Sequence, residues 1–297
     1  MSLRKSQDSL TFTGERIVTS INEYWTLEHL HRYALVKELI IGKKVVDIAS
    51  GEGYGSNLLA EHALSVIGID ISKEAIEHSN SKYKRNNLSF IQATAIQMEI
   101  PDSSVDVLVS FETIEHHSEH EKMMCEIQRV LKEDGILIIS SPDKRSYSDI
   151  TGYKNPFHIK ELYLEEFESL IKKYFSYTLV LFQKSSVASL ISSNSVNNKI
   201  VKEYNGNFEK IYENEKIQNP VYNICIASMQ SLPIDKIKFD SFFYNEELNN
   251  FYFNLHKNYE DLKYENDILL KKVNSNTYKL ARIISYPLRI LKKIEKR

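Results

Sequence analysis

The sequence predicts an α/β fold built on a doubly wound, largely parallel β-sheet, and three observations point to it. Short apolar segments alternate with helical patterns along the first half of the chain. The first strand, which starts at Val45, runs directly into a loop with Gly51, Gly53 and Gly55, three of the nine glycines in 297 residues. The second strand ends in Asp70, 23 residues after Asp47, a spacing typical of a doubly wound sheet.

The remaining elements follow in order along the chain. After the first strand, the predicted strands are residues 65–70, 88–93, 105–110 and 136–140, and the predicted helices between strands are 56–63, 73–84 and 119–131. A loop over 141–157 leads to a helix at 163–172, and residues 177–182 and 222–228 are predicted as the antiparallel final pair of the sheet. One domain therefore spans 45–232, with a helical cover over residues 1–44 and an insertion at about 185–219.

The glycine loop predicts a nucleotide-type site. Gly51, Gly53 and Gly55 are expected to let the backbone adopt positive φ and to let a ligand lie against the main chain where the next helix begins. Asp70 stands where such a fold places the carboxylate that accepts both ribose hydroxyls. Because the carboxyl ends of parallel strands share one edge of the sheet, the ligand cleft is expected at that edge.

The C-terminal extension, residues 241–297, follows a helical pattern of its own. Leucines recur every seven residues at Leu248, Leu255, Leu262 and Leu269, and the complementary positions hold Tyr252, Tyr259, Asn266 and Val273. A coiled coil that forms a homodimer through residues 248–273, with Asn266 setting the register, is one interpretation. A helix packed on its own domain is the other.

Charge separates the end of the chain from its body. Residues 271–297 contain nine basic residues and one acid, so residues 1–270 carry a net charge of about −10 in a chain whose total is −2. An acidic body disfavours a long nucleic-acid partner. The basic amphipathic tail predicts peripheral contact with an anionic membrane surface, and a partly frayed, solubilising tail is the alternative.

Cysteine usage and hydropathy bear on the compartment. Cys125 and Cys225 offer neither a disulfide framework nor a zinc-binding spacing, and both are expected in a protein core in a reducing compartment. The sequence has no apolar run near the ~18 residues of a membrane span and no signal-peptide pattern. The expected location is therefore cytoplasmic, or peripheral at the inner membrane face if the basic tail binds lipid.

Four stretches of the sequence, at 46–55, 68–72, 101–112 and 129–137, together resemble the class I S-adenosylmethionine-dependent methyltransferases, and the resemblance covers residues 12–230. Three more, at 12–16, 28–33 and 155–162, are similar to methyltransferases of bacterial surface-polysaccharide gene sets. The resemblance implies a Rossmann-like methyltransferase sheet with an antiparallel last strand. It also implies S-adenosyl-L-methionine as the cofactor.

The resemblance assigns roles in cofactor binding. Asp47 would orient the glycine loop and the methionine amino group, Asp70 would hold the ribose, and Ala95 would offer backbone contacts near the adenine. Thr94 occupies a position that is commonly an aspartate for the adenine amine, and a hydroxyl accepts that hydrogen bond more weakly. Arg32 and Tyr33 lie on a helix expected to close over the cofactor. The other expected cofactor contacts are Ala49, Gly51, Gly53, Tyr54, Ile71 and Phe111.

The segment 111–117 carries the predicted catalytic residues. Methyl transfer to a hydroxyl needs an in-line acceptor and the removal of its proton. If the segment is helical, Glu112, Glu115 and His116 share one face, and His158 would join them as a fourth ligand of Mg²⁺ or Mn²⁺. The pattern is similar to the Glu-x-x-Glu-His signature of small-RNA 3′-end 2′-O-methyltransferases and to a run in ubiquinone-pathway O-methyltransferases.

Three interpretations of this segment stay open. His116 acts as a base without a metal, aided by Glu112 and His158; the four residues hold a divalent ion; or the acid only orders the loop. His116 is the residue most expected to react.

The predicted function is O-methylation of a hydroxyl on a sugar, nucleotide sugar or glycan-linked group in surface-polysaccharide biosynthesis, so the expected acceptor is a small molecule or glycan. An O-methyltransferase of a quinone-like or other small molecule would retain the same motifs without needing the heptads or the basic tail. A cofactor-binding scaffold that recruits glycan enzymes is the second alternative, and the intact Asp47 and Asp70 argue against it.

Overall fold

The structure is a computed structural model of the full chain, and it describes residues 10, 16–19, 24–185, 203–206, 211–214, 219–234, 258–259, 262–266 and 268–273. The chain divides into two compact units, Met1–Phe243 and Tyr244–Arg297. The first unit contains the sheet and the candidate site, and the second contains most of the predicted heptad region.

Nine strands are described, and seven of them form one sheet. The strands are β1 (Lys44–Ile48), β2 (Ser65–Asp70), β3 (Leu88–Gln92), β4 (Val105–Ser110), β5 (Leu131–Pro142), β6 (Tyr177–Gln183), β7 (Glu203–Gly206), β8 (Ile211–Asn214) and β9 (Tyr222–Ser228). The main sheet has the order β3-β2-β1-β4-β5-β9-β6. Strands β1 to β5 are parallel, whereas β9 runs antiparallel to both of its neighbours, β5 and β6. The predicted doubly wound sheet with an antiparallel last strand is confirmed.

Five α-helices are described in the first unit: α1 (Tyr24–Leu35), α2 (Tyr54–Leu59), α3 (Lys73–Lys82), α4 (His120–Val130) and α5 (Leu164–Tyr174). Local sequence explains where several of them begin. Ser72 caps α3, because its hydroxyl accepts a hydrogen bond from the amide of Ala75 at 3.3 Å. The side chain of Glu166 accepts a hydrogen bond from the amide of Tyr163 at 3.0 Å, just before α5 begins.

The core has two layers, one on each face of the sheet. Met123, Met124 and Ile127 of α4 are fully buried at helical spacing and pack with the side chains of Leu108, Ile139 and Phe167. On the opposite face, Tyr33 and Val36 pack with Val107, Val109 and Ile138. Helices cover both faces, which is why the parallel strands are almost continuously apolar.

Two elements differ from the predictions by more than two residues at one end. The helix predicted at 56–63 is α2, which begins two residues earlier and ends at Leu59. The strand predicted at 136–140 is β5, which runs from Leu131 to Pro142. Leu131 pairs with Val105 of β4, and Pro142 pairs with Tyr222 of β9. Neighbouring strands supply hydrogen-bond partners on both sides, and this extends a strand beyond its apolar residues. Within the predicted insertion, β7 and β8 form a separate two-stranded hairpin.

The described part of the second unit is helical at residues 258–259, 262–266 and 268–273. The heptad side chains Tyr259, Leu262, Leu269 and Val273 are exposed there. The earlier heptad positions and the basic tail after residue 273 lie outside the described residues. Among the helices that the structure describes, none has the length and apolarity to span a bilayer.

Candidate functional site

The candidate site lies at the carboxyl edge of the parallel strands. In the register of the sheet, Ile48 at the end of β1 stands beside Ile69 of β2 and Ser110 of β4. The chain leaves all three strands at the same level, so the glycine loop, Asp70 and the segment after Phe111 meet at one edge. This convergence of three loops is what a doubly wound sheet provides for a ligand.

The glycine loop uses its glycines in two ways. Gly51 and Gly53 adopt positive φ angles of 56° and 90°, as predicted. A Cβ added to Gly53 would lie 2.8 Å from both the Phe90 ring and the Ser79 hydroxyl oxygen. Gly55 lies inside α2 and is not among the positive-φ residues, so the predicted φ was wrong there. Its lack of a side chain instead admits the Tyr33 ring, because an added Cβ would lie 2.0 Å from Cζ of Tyr33.

The two strand-end acids have different partners. Asp70 accepts hydrogen bonds from the backbone amides of Gly51 at 2.9 Å and Ser72 at 2.8 Å, so it is this acid that orders the glycine loop. Asp47 accepts a hydrogen bond from the Ser56 hydroxyl at 2.7 Å, and the Tyr33 hydroxyl lies 3.5 Å from both of its oxygens. Asp47 therefore connects β1 to α1 and α2.

Burial changes the protonation of Asp47. Desolvation is the largest influence and raises the pKa of this carboxyl from 3.8 to about 7, although hydrogen bonds from Ser56 and Tyr33 oppose the rise. The negative charge of Asp70 acts in the same direction as burial. A cationic group bound beside Asp47 would favour the ionised form of this carboxyl, so the position is suited to such a group.

Arg32 lies inside the protein, with 1% of its surface exposed. Its Nε donates to Oε1 of Gln183 at 2.8 Å, and its guanidinium lies 4.4 Å from the centre of the Tyr222 ring. Within the described residues, its Nη1 and Nη2 atoms form no hydrogen bond. Because buried N–H groups of a cation are costly when they form no hydrogen bond, these two nitrogens are suited to a carboxylate.

Glu112 stands apart from the residues with which it was predicted to act. Its φ is 49°, so the segment is not one continuous helix, and only Ile114–His116 forms a short 3₁₀ turn. Its Oε1 accepts a hydrogen bond from the Ser140 hydroxyl at 2.6 Å and lies 3.5 Å from Nη1 of Arg32. The prediction that Glu112, Glu115 and His116 share one helical face was therefore wrong.

Glu115, His116 and His158 do come together. One ligand atom of each lies within 4.8 Å of those of the other two. The loop that carries His158 is fastened to this turn, because the amides of Ile159 and Lys160 both donate to the carbonyl of Glu115, at 2.8 and 3.0 Å. The side chain of Glu115 is 1% exposed and that of His158 is 6% exposed, whereas that of His116 is 28% exposed, so His116 is the accessible member of the cluster.

Hydrogen bonds orient both imidazoles. Nδ1 of His116 lies 3.1 Å from the carbonyl oxygen of Phe157, to which it donates, so Nε2 carries the lone pair. Nδ1 of His158 donates to Glu161 at 2.6 Å, and Nε2 of His158 accepts from the Asn155 amide at 3.0 Å. In both rings Nε2 is the basic atom, and it lies on the side away from the oxygen that holds the ring.

Aromatic side chains surround His158. The Tyr147 ring stacks on the imidazole at 5.3 Å between centroids and meets the Tyr153 ring edge-on at 5.8 Å. Tyr147 also lies 6.2 Å from Tyr222, whose ring contacts Arg32. Tyr153 and Phe157 are exposed. An aromatic rim therefore runs from the histidine cluster toward Arg32.

The other predicted cofactor residues line the same edge. Phe111 is buried, and its ring centroid lies 5.1 Å from that of Tyr33. The Tyr54 ring centroid lies 5.8 Å from that of Tyr33. Ala49 has a positive φ of 56° at the end of β1. Ile71 is exposed beside Asp70, and the carbonyl of Thr94 accepts the amide of Gln97 in a turn after β3, next to Ala95.

Sequence reasoning missed several residues of the site. Gln183 and Tyr222 hold Arg32 from β6 and β9, and no local pattern marks them because they come from strands distant in sequence. Glu161 had a detectable signal, since it lies three residues after His158 and orients that ring. Glu52, inside the glycine loop, carries no sequence signal of its own, although it is 3% exposed and has several polar partners.

Comparison with known proteins adds a family match. A family model described as a methyltransferase domain matches residues 46–139, which contain the glycine loop, both strand-end acids and the turn with His116. A relative from Mycobacterium tuberculosis, named "Probable S-adenosylmethionine-dependent methyltransferase", is 36% identical over 165 residues. That alignment covers 54% of this chain and 60% of the relative. The chain thus spans less than two thirds of this relative's length.

Two further proteins show how far the likeness extends. A ubiquinone/menaquinone biosynthesis C-methyltransferase from Campylobacter jejuni is 29% identical over 126 residues, covering 40% of this chain and 53% of that protein. The crystal structure of a SAM-dependent methyltransferase from Archaeoglobus fulgidus aligns with a TM-score of 0.50 and 21% identity, over 68% of this chain and 92% of that one. At this identity the structural likeness concerns the fold alone.

Proposed function

We propose that the chain is a class I S-adenosylmethionine-dependent methyltransferase that methylates a hydroxyl of a sugar, nucleotide sugar or glycan-linked group in surface-polysaccharide biosynthesis. The match of residues 46–139 to a methyltransferase-domain model and the likeness to the M. tuberculosis relative support the first part. The observation that carries this proposal is the orientation of His116. Its Nδ1 is held by the Phe157 carbonyl, and the basic Nε2 stands beside Glu115 and His158 at the carboxyl edge of the sheet. A hydroxyl acceptor requires such a base.

The residues of the site fit S-adenosylmethionine. Bound there, the cofactor supplies an electrophilic methyl group. Gly51 and Gly53, both at positive φ, turn the loop tightly at the carboxyl edge of β1. Asp70 retains lone pairs for ribose hydroxyls beyond its two backbone partners. Arg32 offers two nitrogens without hydrogen bonds within the described residues, which suit the methionine carboxylate. Asp47 suits the amino group, because a neighbouring cation favours the ionised form of a buried carboxyl.

His116 would remove the proton of the acceptor. The Phe157 carbonyl fixes the tautomer, and the buried carboxylate of Glu115, 3.9 Å from Nε2, would stabilise the imidazolium that forms. Glu112 acts indirectly, because its carboxylate is directed at Arg32 and Ser140 rather than at His116. His158 completes the wall on the acceptor side, where its ring meets that of His116 at 5.1 Å.

The aromatic rim supports a sugar as acceptor. Flat aromatic faces with polar groups at their edges suit a pyranose ring, whose CH groups stack while its hydroxyls form hydrogen bonds. Tyr147, Tyr153 and Phe157 provide such faces, and Asn155 lies between Tyr147 and His158. The acidic body disfavours nucleic acid as the acceptor.

A divalent metal bound by the same cluster is the alternative to His116 acting as a base without a metal. Glu115, His116 and His158 supply one carboxylate and two imidazoles, and Glu161 orients His158 as a second carboxylate commonly does for a metal-bound imidazole. Such a set would hold Mg²⁺ or Mn²⁺, of which Mn²⁺ accepts imidazole more readily. The ion would lower the pKa of an acceptor hydroxyl. Glu112, predicted as a fourth ligand, lies with Arg32 instead.

The proposal is tested by incubating the full chain with S-adenosylmethionine and a panel of nucleotide sugars and oligosaccharides, with and without chelator. We expect a methylated sugar and an equal amount of S-adenosylhomocysteine. Loss of turnover on chelation, restored by Mn²⁺ or Mg²⁺, supports the metal, and indifference to chelator leaves His116 as the sole base. Turnover with none of the sugars, on protein that binds the cofactor, contradicts the choice of acceptor.

A quinone-like acceptor is the second candidate, and the apolar part of the rim favours it. Phe157 and Ile159 are exposed beside His116, where they would contact an apolar ring system. The C. jejuni relative is named for ubiquinone and menaquinone biosynthesis, but only 53% of it is covered. Adding a catechol or hydroquinone to the panel separates the two candidates. Full activity in vivo after deletion of residues 241–297 would also favour the second.

The C-terminal extension supports a further part of the proposal. Tyr259, Leu262, Leu269 and Val273 recur at heptad spacing and are exposed, so pairing with a second copy would bury them. We propose a homodimer through residues 248–273 and, through the basic tail, peripheral contact with the inner membrane face from the cytoplasm. Sedimentation of the chain with and without residues 241–297 tests the first part, and flotation with anionic vesicles tests the second.

A further inference from the structure

Glu52 lies in the glycine loop, and its side chain faces Thr19 and the C-terminal end of α3. Its carboxylate accepts hydrogen bonds from Lys82 Nζ at 2.6 Å, from the Thr19 hydroxyl at 2.8 Å and from the Tyr83 hydroxyl at 3.1 Å. Nε2 of His78 stands 3.6 Å from the same carboxylate. A carboxylate that is 3% exposed and has this many donors has a defined position, which the methyl-transfer chemistry does not explain.

The Thr19 contact brings in a segment from the N-terminus. Residues 16–19, here called the strap, lie across the glycine loop and α3. Val18 is 2% exposed and clusters with Leu10 and with Ala75 of α3. Arg16 lies against the loop itself, because a Cβ added to Gly51 would be 3.4 Å from Cγ of Arg16. The strap therefore contacts both the loop backbone and the helix behind it.

The loop backbone is held on the same side. The Ser79 hydroxyl lies 2.9 Å from the carbonyl oxygen of Glu52 and 3.4 Å from that of Gly51. Lys82 Nζ contacts both Glu52 and the strap, since it also donates to Thr19 Oγ1 at 2.5 Å. The strap, the loop and α3 are thus joined through one buried carboxylate, that of Glu52. Displacing any one of these three segments would break hydrogen bonds that position the other two.

We propose that Glu52 is a positioning residue that couples the strap to the cofactor loop, so that binding of S-adenosylmethionine and docking of the strap stabilise each other. The inference rests on the proposed function only in that the glycine loop holds the cofactor. Because coupling between two equilibria is reciprocal, the strap docks more firmly when the loop is occupied, and the loop binds more tightly when the strap is docked. Glu52 itself touches no reacting atom.

The test uses the full chain and S-adenosylhomocysteine as the probe. If the strap is docked on the loop, we expect trypsin to cleave after Arg16 only when the strap leaves it, and mass spectrometry identifies this product. We expect the probe to slow this cleavage severalfold in the parent protein, and Glu52→Gln to accelerate it without the probe. Calorimetry should show a weaker affinity of Glu52→Gln for the probe, by roughly tenfold, as lost charged hydrogen bonds imply.

Thr19→Val is the decisive variant, because it alters the strap and leaves the loop sequence intact. We expect it to weaken probe binding by about threefold, the effect of one neutral hydrogen bond. Glu61→Gln is the matched control: it removes an exposed ion pair with Arg85 at 2.9 Å and should change neither measurement. Thermal unfolding of each variant separates misfolding from lost coupling.

The outcomes distinguish this inference from the proposed function. If the parent protein binds neither S-adenosylmethionine nor the probe, the proposed function fails, and the proposed coupling with it, even if Glu52→Gln accelerates cleavage at Arg16. If the parent binds the probe while Thr19→Val and Glu52→Gln bind it equally well, the coupling is overturned and the proposed function stands. Cleavage at Arg16 that is indifferent to the probe in the parent overturns the coupling as well.

Discussion

Nη1 of Arg32 lies 3.5 Å from Oε1 of Glu112, and this ion pair joins α1 to the segment after β4. The same carboxylate oxygen accepts the Ser140 hydroxyl at 2.6 Å, so Glu112 is fixed from two sides. The pair explains why Glu112 is absent from the cluster of Glu115, His116 and His158. Within the described residues, Nη1 and Nη2 of the same guanidinium form no hydrogen bond.

Replacing Arg32 by lysine should weaken binding of S-adenosylhomocysteine by about tenfold. A lysine keeps the charge but cannot present two parallel N–H donors to a carboxylate. Calorimetry with the product measures the change, and Arg85→Lys, on an exposed ion pair, is the control. An Arg32→Lys protein that folds normally and binds the product as the parent does would refute the assignment of the carboxylate to Arg32.

Replacing His116 by glutamine should abolish methyl transfer while sparing cofactor binding. A positioned base contributes about 100-fold or more to proton removal, so turnover should fall by at least that factor. The affinity for S-adenosylhomocysteine should stay within about twofold, because the imidazole serves the acceptor. His117→Gln is the control, since Nε2 of His117 lies 3.1 Å from the Met123 sulfur, outside the cluster. Equal turnover of both variants would contradict the role of His116.

Asp47 should make the stability of the ligand-free protein depend on pH. Its pKa is raised from 3.8 to about 7 in the folded state, so the protonated form is favoured by folding. The stabilisation that protonated Asp47 gives the folded state is complete below pH 3.8 and is lost as the pH rises through about 7. Relative to Asp47→Asn, the free energy of unfolding should therefore fall with pH between about 4 and 7, by at most about 1.4 kcal/mol per pH unit.

Urea unfolding of the parent and of Asp47→Asn at several pH values gives this difference directly. The same titration predicts that the affinity for S-adenosylmethionine rises with pH across this range in the parent, because a cationic amino group needs the ionised carboxyl. A pH-independent difference between the two proteins would show that Asp47 titrates in its ordinary range.

Gly53→Ala should be far more harmful than Gly42→Ala. Both glycines have positive φ, 90° and 68°, so both substitutions strain the backbone, by roughly 1 kcal/mol. A Cβ on Gly53 would also lie 2.8 Å from the Phe90 ring, whereas one on Gly42 meets nothing within 4 Å. We expect denaturant unfolding to show an extra loss of about 2 kcal/mol for Gly53→Ala, as overpacking implies. Similar losses for both variants would mean that the loop relaxes around the methyl group.

The local features of the fold were predictable from sequence. Apolar strands, helical periodicity and the spacing from Asp47 to Asp70 depend on residues close in the chain, and the sheet confirms them. The long-range partners were not predictable. Gln183 and Tyr222 reach Arg32 only because β6 and β9 pair with each other at the edge of the sheet, where Gln183 and Tyr222 are register partners.

In the candidate site, too, some groupings were predictable from the sequence and others were not. Grouping His116 with His158 was predicted, and the contacts of the Ile159 and Lys160 amides with the Glu115 carbonyl are the physical cause. The assignment of Glu112 to that group failed, because a helical face assumed continuous helical φ angles, whereas Glu112 has a φ of 49°. The Glu112 carboxylate instead forms an ion pair with the buried Arg32 guanidinium at 3.5 Å.

The sequence alone determined the sheet, the loop at its carboxyl edge and the two acids beside that loop. It could do so because apolar periodicity and glycine conformation are encoded over a few neighbouring residues. Tertiary packing alone decided which acid joins the histidines, which nitrogens of Arg32 are left for a ligand and which carboxylate ties the strap to the loop. These choices depend on desolvation and on donors that arrive from distant segments, and such energies exist only once the chain is folded.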